Sequence, residues 1–141
     1  MTPDELPDVL GLDTNCLIYL LEGQSPRRQA VMERVIRPQR RSIVSTLAVA
    51  ELLVARFRVT AEHAAEARAA IEGLPGIDIV GVGMEVAARA AAIRAATGLK
   101  LPDAVHLATA LELGAAGFLT NDAALARVLP GIPVFRVDDL L

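Results

Sequence analysis

Short apolar segments alternate with helix-like segments along the whole chain, and this alternation constrains the fold more than any other feature. Strands separated by helices are joined by crossover connections, which place the strands parallel, and helices then cover both faces of the sheet. The sequence therefore predicts an α/β fold around a central parallel sheet. The predicted strands are Val9–Leu12, Ser42–Val44, Ile77–Val80, Phe118–Thr120 and Val134–Val137.

The helices between these strands are predicted from their start and stop residues. Ser25 followed by proline is typical of a helix start, Ser45 or Thr46 and Thr60 cap the next helices, and Gly73 and Gly98 end two of them. No repeat, low-complexity tract or linker interrupts the pattern, so residues 1–141 are expected to form a single domain. The predicted spans are Thr14–Leu21, Pro26–Ile36, Thr46–Phe57, Thr60–Glu72, Met84–Ala96, Pro102–Leu113 and Ala123–Leu129.

Composition narrows the class of protein. With 53% hydrophobic and 22% charged residues the chain is globular rather than disordered, and Glu51 interrupts the longest apolar run before it reaches membrane-spanning length. The segment from Met1 to Asp8 is acidic and contains prolines, unlike a signal peptide. Cys16 is the only cysteine and has no disulfide partner within the chain. A cytoplasmic protein is expected.

Basic charge is concentrated in one window of an otherwise acidic chain. Residues 27–41 hold six arginines and one glutamate, a net charge of +5, so the remainder carries −8 of the overall −3. A local positive surface is enough to contact phosphates, which favours nucleic acid as a partner. The alternative is a solvated, arginine-rich helix with no binding role.

Four acids, Asp13, Glu51, Asp103 and Asp122, each interrupt or end an apolar stretch. Asp13 and Asp122 follow predicted strands, whose carboxyl ends form the edge where ligands bind in such sheets. Glu51 and Asp103 lie in predicted helices that can overhang the same edge. Two like charges ~4 Å apart repel by about 4 kcal/mol at an effective dielectric constant near 20. A divalent cation removes this repulsion, and oxygen ligands favour Mg²⁺ or Mn²⁺.

Helix capping is the alternative explanation for three of these acids. Asp13, Asp103 and Asp122 stand near predicted helix starts, where a carboxylate accepts hydrogen bonds from free amides. Glu51 is different, because its neighbours at helical spacing, such as Leu47 and Val54, are apolar. An acid in the middle of a helix, on an apolar face, is more often a functional residue than a solvated surface residue.

Polar residues next to the acids are candidates for orienting them. Asn15 and Thr120 flank Asp13 and Asp122 and can hold a carboxylate or a water in place, although local turn bonding explains them nearly as well. His106 lies one helical turn after Asp103. It is either a ligand or base, or a histidine that is hydrogen-bonded in the core beside the site.

Four motifs occur in a diagnostic order: Leu12-Asp13-Thr14-Asn15, Leu47 to Leu53 around Glu51, Leu101-Pro102-Asp103-Ala104, and Leu119-Thr120-Asn121-Asp122. Together they resemble the PIN-domain nucleases, specifically the VapC-type toxins of prokaryotic toxin–antitoxin pairs. The resemblance implies a three-layer α/β/α sandwich and an endoribonuclease that acts on RNA. It also implies Mg²⁺ or Mn²⁺ bound by Asp13, Glu51, Asp103 and Asp122, a homodimer, and a cognate antitoxin protein as inhibitor.

The expected chemistry needs no side-chain nucleophile. A cation held mainly by Asp13 and Asp103, with Glu51 and Asp122 bound directly or through water, lowers the pKa of a bound water, and the hydroxide attacks the phosphorus in line. Two alternatives stay open: a housekeeping PIN nuclease of RNA processing or decay, and a catalytically inert interaction module. A third, a receiver-like phosphoacceptor domain, is rejected because the chain lacks the acidic pair that such domains carry after the first strand.

The apolar balance predicts surfaces that are covered by partners. With 3% aromatic residues and a mean hydropathy of +0.43, we expect a two-fold dimer contact. We also expect a groove beside the 27–41 helix and the Ser45–Phe57 helix that accepts an antitoxin segment.

Overall fold

The five apolar segments form one parallel sheet, as the alternation predicts. A computed structural model of the chain describes residues 1–127 and 131–140. Neighbouring strands follow the order β3-β2-β1-β4-β5, and every pair is parallel. The central position of β1 is not evident from the sequence. The strands are β1 (Val9–Leu12), β2 (Arg41–Ser45), β3 (Ile77–Val80), β4 (Gly117–Thr120) and β5 (Val134–Arg136).

Seven helices in the described residues lie close to their predicted spans. Side-chain oxygens of Ser25, Ser45 and Thr60 accept hydrogen bonds from backbone amides in the first turn of the helix that follows each. Gly98 ends the fifth helix with a φ of +75°. The helices are α1 (Thr14–Glu22), α2 (Pro26–Val35), α3 (Thr46–Phe57), α4 (Ala61–Glu72), α5 (Met84–Thr97), α6 (Leu101–Glu112) and α7 (Ala123–Arg127).

Two predicted boundaries lie near the end of the chain, one for the last strand and one for α7. The last strand ends one residue earlier than predicted, because Val137 begins a 3₁₀ helix, Val137–Leu140. The predicted end of α7 at Leu129 lies outside the described residues. A second 3₁₀ helix, Pro3–Glu5, precedes β1 and was not expected from the sequence.

Strand residues point alternately to two separate cores, so helices cover both faces of the sheet. Leu10 and Leu12 pack with buried residues of α1, α2 and α3. Ile43 and Phe118 face the other way and pack with Leu107 of α6 and with α7. The fold is therefore the three-layer α/β/α sandwich that the resemblance implies.

Gly11 in β1 brings α6 close to the centre of the sheet. A side chain at this position would overlap the Cβ of Ala110 and the ring of Phe118. The absence of a side chain lets α6 pack directly over β1, and α6 carries Asp103 and His106. No helix in the described part of the chain is long and apolar enough to cross a membrane.

Most arginines of the 27–41 window bind groups of the same chain. Arg40 is fully buried, and its guanidinium donates hydrogen bonds of 2.8–3.0 Å to the carbonyl oxygens of Pro3, Leu6, Pro7 and Val35. Burial, followed by repulsion from Arg37, lowers the pKa of Arg40. This arginine ties the N-terminal 3₁₀ helix to the end of α2.

The neighbouring arginines form ion pairs with acids from elsewhere in the chain. The pairs are Arg28 with Asp138, Arg34 and Arg37 with Asp4, and Arg41 with Asp78. Five of the six arginines in the window therefore neutralise or anchor groups of the same chain. Neither interpretation of the window from the sequence, a phosphate surface or a free solvated face, describes these contacts.

Candidate active site

The site lies where the order of the strands reverses. The chain runs outwards from β1 to β2 and β3 on one side and later adds β4 and β5 on the other. In parallel sheets this arrangement opens a crevice at the carboxyl ends of the two strands that diverge, here β1 and β4. Asp13 directly follows β1, and Asp122 comes two residues after β4.

Asp13 is buried and anchored through both carboxylate oxygens. Its Oδ1 accepts a hydrogen bond of 2.7 Å from the backbone N of Thr14, and its Oδ2 accepts one of 2.7 Å from the Thr120 hydroxyl. Its own backbone N donates to the carbonyl of Leu119. Each carboxylate oxygen has two lone pairs, so both keep acceptor capacity for a cation.

Glu51 reaches the site from α3 and is held by two groups. Its Oε1 accepts a hydrogen bond of 2.7 Å from the Thr14 hydroxyl and lies 2.7 Å from Nε2 of His106. Thr14 thus binds Asp13 through its backbone and Glu51 through its side chain. The two carboxylates are fixed on either side of one residue.

Asp103 lies in the first turn of α6, half-buried, and is electrostatically coupled to the other three acids. Burial raises the pKa of its carboxyl, and repulsion from Asp13, Asp122 and Glu51 raises that pKa further, while His106 opposes the shift. Such repulsion requires that the charges lie near one another. The other three acids therefore lie within electrostatic range of Asp103, and Asp122 lines the same cleft.

Asp122 sits at the entrance to α7. Its Oδ1 accepts from the backbone N of Ala124 at 2.8 Å, and its own N donates to the Thr120 hydroxyl at 3.0 Å. Asp103 and Asp122 line an open cleft of about 440 Å³ that also carries Lys100 and Arg127. This cleft gives solvent and ligands a route to the acids.

Capping explains only part of this arrangement. Asp122 caps α7 through the Ala124 amide, and Asp13 caps α1 through the Thr14 amide. Asp103 accepts no hydrogen bond among the described residues, and Glu51 lies in the middle of α3. Helix capping therefore accounts for Asp13 and Asp122 but not for Glu51 and Asp103.

The donor set suits a hard divalent cation. All four acids present oxygen ligands, and the repulsion that raises the pKa of Asp103 is the kind that a cation removes. Within residues 1–127 and 131–140, no three acidic, histidine or cysteine side chains already enclose a metal position.

Of the two polar neighbours predicted to orient the acids, one forms hydrogen bonds with them and the other does not. Thr120 bridges Asp13 and the backbone of Asp122, as expected of a group that orients a carboxylate. Asn15 is exposed, and the described hydrogen bonds do not join it to any of the four acids. Thr14, its neighbour in the same motif, makes the contacts that were predicted for Asn15.

Comparison with protein families identifies the class. The family model described as PIN domain matches residues 11–129, which contain all four acids. The chain therefore belongs to the PIN-domain family, and the resemblance seen in the four motifs is confirmed. A comparison with curated proteins finds no match.

Several solved structures share the fold over nearly the whole chain. A toxin–antitoxin complex from Klebsiella pneumoniae is 27% identical with a TM-score of 0.71, covering 92% of this chain and 97% of that one. FitAcB from Neisseria gonorrhoeae is 22% identical with a TM-score of 0.71 and the same coverage. VapBC2 from Rickettsia felis, bound to a DNA fragment from its promoter, is 13% identical with a TM-score of 0.72, covering 91% and 98%.

Proposed function

We propose that this protein is an endoribonuclease that depends on Mg²⁺ or Mn²⁺ and is the toxin of a type II toxin–antitoxin pair. The observation that carries the proposal is the convergence of Asp13, Glu51, Asp103 and Asp122 at the β1–β4 crevice, where burial and then the other three acids raise the pKa of Asp103. Membership of the PIN-domain family supports nuclease chemistry. Similarity to toxin–antitoxin complexes supports the toxin role.

Each acid has a distinct role in this proposal. Asp13, oriented by Thr14 and Thr120, and Asp103 hold the cation, while Glu51 and Asp122 complete its surroundings directly or through water. When bound, a divalent cation activates water and neutralises charge on phosphate oxygens. The four acids repel one another when no cation is bound, and this repulsion favours binding of a cation between them.

The cleft beside Asp103 and Asp122 supplies the phosphate contacts. Lys100 and Arg127 line it together with the two acids, so positive charge flanks the reacting centre. The 27–41 window is the weaker candidate for this role, because four of its arginines pair with acids of the same chain and Arg40 is buried. Arg41, at the start of β2, lies at the edge of the sheet opposite to Asp13, which follows the end of β1.

The direct test is cleavage of single-stranded RNA by the purified protein with Mn²⁺ and with EDTA. Asp13→Asn and Asp103→Asn are each expected to lower the cleavage rate by about 100-fold or more, since ligands matter more than the residues that orient them. Asp8→Asn, an acid before β1 at the opposite edge, is the matched control and should cleave normally. Cleavage in EDTA, or full activity of Asp103→Asn, would refute the metal-dependent site, and no cleavage by the folded wild type with Mn²⁺ would favour the inert module.

The cleft has its own test. Lys100→Gln with Arg127→Gln should raise KM for RNA and weaken its salt dependence while leaving kcat nearly unchanged, because phosphate contacts bind rather than react. Arg27→Gln, an exposed arginine of the 27–41 window, is the control. An equal rise in KM for Arg27→Gln would return the substrate path to that window.

Partner surfaces are proposed from the apolar groove and from exposed apolar side chains. The groove, about 320 Å³, borders α3 as expected, but its other wall is α4 rather than α2, because α2 packs against α1. Val49, Leu53, Ile71 and Ile79 line it, and we propose that an antitoxin segment fills it. A housekeeping nuclease would share the acidic site and lack this partner, so co-purification with an adjacent-gene product discriminates between the two.

The homodimer stays a proposal that light scattering decides. Exposed Phe57, Met84 and Leu101 are large apolar side chains that a second copy would cover. A mass near 14.9 kDa at micromolar concentration would refute the dimer. The cytoplasmic location predicted from the lone cysteine and the acidic N-terminal segment is part of the same proposal.

A further inference from the structure

His106 links the interior of the protein to the candidate site. Its side chain is 1% exposed, whereas the side chain of Glu51, 2.7 Å from its Nε2, is 39% exposed. On the other side of the ring, Nδ1 lies 2.8 Å from the hydroxyl of Ser45, the last residue of β2 and the cap of α3. A rigid, buried ring therefore connects the end of a strand to a carboxylate on the next helix.

The hydrogen bonds define where the ring carries its proton. An ionised Glu51 only accepts, so the 2.7 Å contact requires a proton on Nε2. The Ser45 hydroxyl already accepts from the backbone N of Ala48 at 3.1 Å, and its own hydrogen has Nδ1 as its acceptor. A neutral ring with its proton on Nε2 satisfies every group. A proton on Nδ1 would leave the hydrogen of buried Ser45 without an acceptor among the described residues.

The Thr14 hydroxyl completes the network. It donates to the same Oε1 of Glu51 that His106 contacts, and it lies 3.1 Å from Nε2. Both described hydrogen bonds to Glu51 therefore converge on Oε1. This leaves Oε2 as the carboxylate oxygen with no described protein partner.

We propose that Ser45 and His106 form a positioning relay that fixes the orientation of Glu51, with Ser45 setting the tautomer of the ring and His106 holding Oε1. The inference rests on the proposed function, in which Glu51 belongs to the cation site, and names two residues that act through it. Glu51 has a long side chain with several rotamers. Because His106 already holds one of its oxygens, Glu51 loses less conformational entropy when a cation binds. Ser45 and His106 themselves do not touch the substrate or the cation in this account.

Nitrogen NMR of the imidazole rings tests the relay without an activity assay. In uniformly ¹⁵N-labelled full-length protein with Mg²⁺ at neutral pH, long-range ¹H–¹⁵N spectra should show His106 with a protonated Nε2 and an unprotonated Nδ1. His63, the other histidine, lies in an exposed part of α4 with its Nδ1 2.7 Å from the Thr60 hydroxyl, and it gives the comparison for a ring with a hydroxyl contact but no described carboxylate contact. A proton on Nδ1 of His106, or a His106 proton shared between both nitrogens, would overturn the relay.

A pair of conservative variants tests the positioning role. The amide of His106→Gln reaches the place of Nε2 and still donates to Glu51, whereas that of His106→Asn reaches only the place of Nδ1. We expect His106→Asn to lower kcat about 10- to 100-fold with little change in KM, and His106→Gln to stay within a few-fold of wild type. His63→Gln is the matched control for a histidine outside the site.

The outcomes separate the relay from the proposed function. Two folded variants with equal kcat, whether normal or reduced, would overturn the relay, since only one of them keeps the contact with Glu51. Circular dichroism establishes that both variants are folded, and if either is not, the NMR result on the wild type decides. Failure of the wild type to cleave RNA would refute the nuclease, and the NMR result would still support or overturn the relay.

Discussion

The two edges of the sheet carry opposite charges, and the protein treats them in opposite ways. At the amino edge, Arg40 is fully buried and donates to backbone carbonyls, and Arg41 pairs with Asp78. At the carboxyl edge, Asp103 has no described hydrogen-bond partner, and the pKa of its carboxyl is raised, first by burial and then by the neighbouring acids. The two arginines at the amino edge have partners within the chain, whereas Asp13, Asp103 and Asp122 form no ion pair among the described residues, although Lys100 and Arg127 line the cleft beside two of them.

This difference separates structural charge from functional charge. A buried charge that is fully hydrogen-bonded holds segments together, as Arg40 does for the N-terminal 3₁₀ helix and α2. A cluster of like charges without an internal counterion destabilises the fold and is retained where it binds something. The arginine-rich window stands out in the sequence, but the acids at the other edge form the candidate site.

Loss of Arg40 should have the largest effect of the changes that test this comparison. Arg40→Met leaves several buried carbonyls without their donor, and the free energy of unfolding should fall by about 3 kcal/mol or more. Arg27→Met, in the same window but exposed, should change it by less than about 0.5 kcal/mol. Urea unfolding measures both. Equal effects would mean that Arg40 is not the structural anchor that its contacts indicate.

Thr120→Ala should have an intermediate effect, on activity. The hydroxyl holds Oδ2 of Asp13 and the backbone of Asp122, so its loss should lower RNA cleavage by about 10-fold, the lower end for a residue that orients a ligand. Thr120→Ser keeps the hydroxyl and should stay close to wild type. Thr109→Ala, which removes a buried hydroxyl bonded only within α6, controls for stability. Equal losses in Thr120→Ala and Thr109→Ala would contradict a role specific to the site.

Asp103→Asn should have the smallest effect, an increase in stability without metal. Because the folded pKa of Asp103 is raised, its protonated form stabilises the fold at low pH, and that stability is lost as pH rises through the folded pKa. In EDTA at neutral pH, Asp103→Asn should therefore have a higher Tm than wild type. The difference should shrink as pH falls toward the ordinary Asp pKa of about 3.9. A lower Tm for Asp103→Asn at neutral pH would mean that the carboxylate stabilises the fold.

Much of the fold could be predicted from local sequence signals. Strands β1 and β3 have the predicted bounds, and Ser25, Ser45 and Thr60 mark helix starts as expected, because capping and apolar runs are local. The order of the strands could not be obtained this way. It depends on which helix packs on which face, as Gly11 allows for α6, and this is a property of contacts distant in sequence.

The site was predicted through its acids better than through its hydrogen bonds. Placement after β1 and β4 and the four ordered motifs were enough to bring the acids together on one edge. The contacts of Thr14 and Ser45 at the site were not predicted, and His106 was predicted only as one of several alternatives, because each depends on a partner more than 30 residues away. Arg40 was counted as part of a charged surface, because its carbonyl partners are backbone groups that the sequence does not mark.

Metal binding tests the central claim most directly, namely that the four acids form one cation site. Titration of Mn²⁺ into the purified protein, followed by the EPR signal of free Mn²⁺ and by calorimetry, needs no knowledge of the RNA target. We expect saturable binding by the wild type and by Asp8→Asn, and binding weakened by at least about 10-fold in Asp13→Asn and Asp103→Asn. Undiminished binding by Asp103→Asn, or no binding by the wild type, would contradict the account.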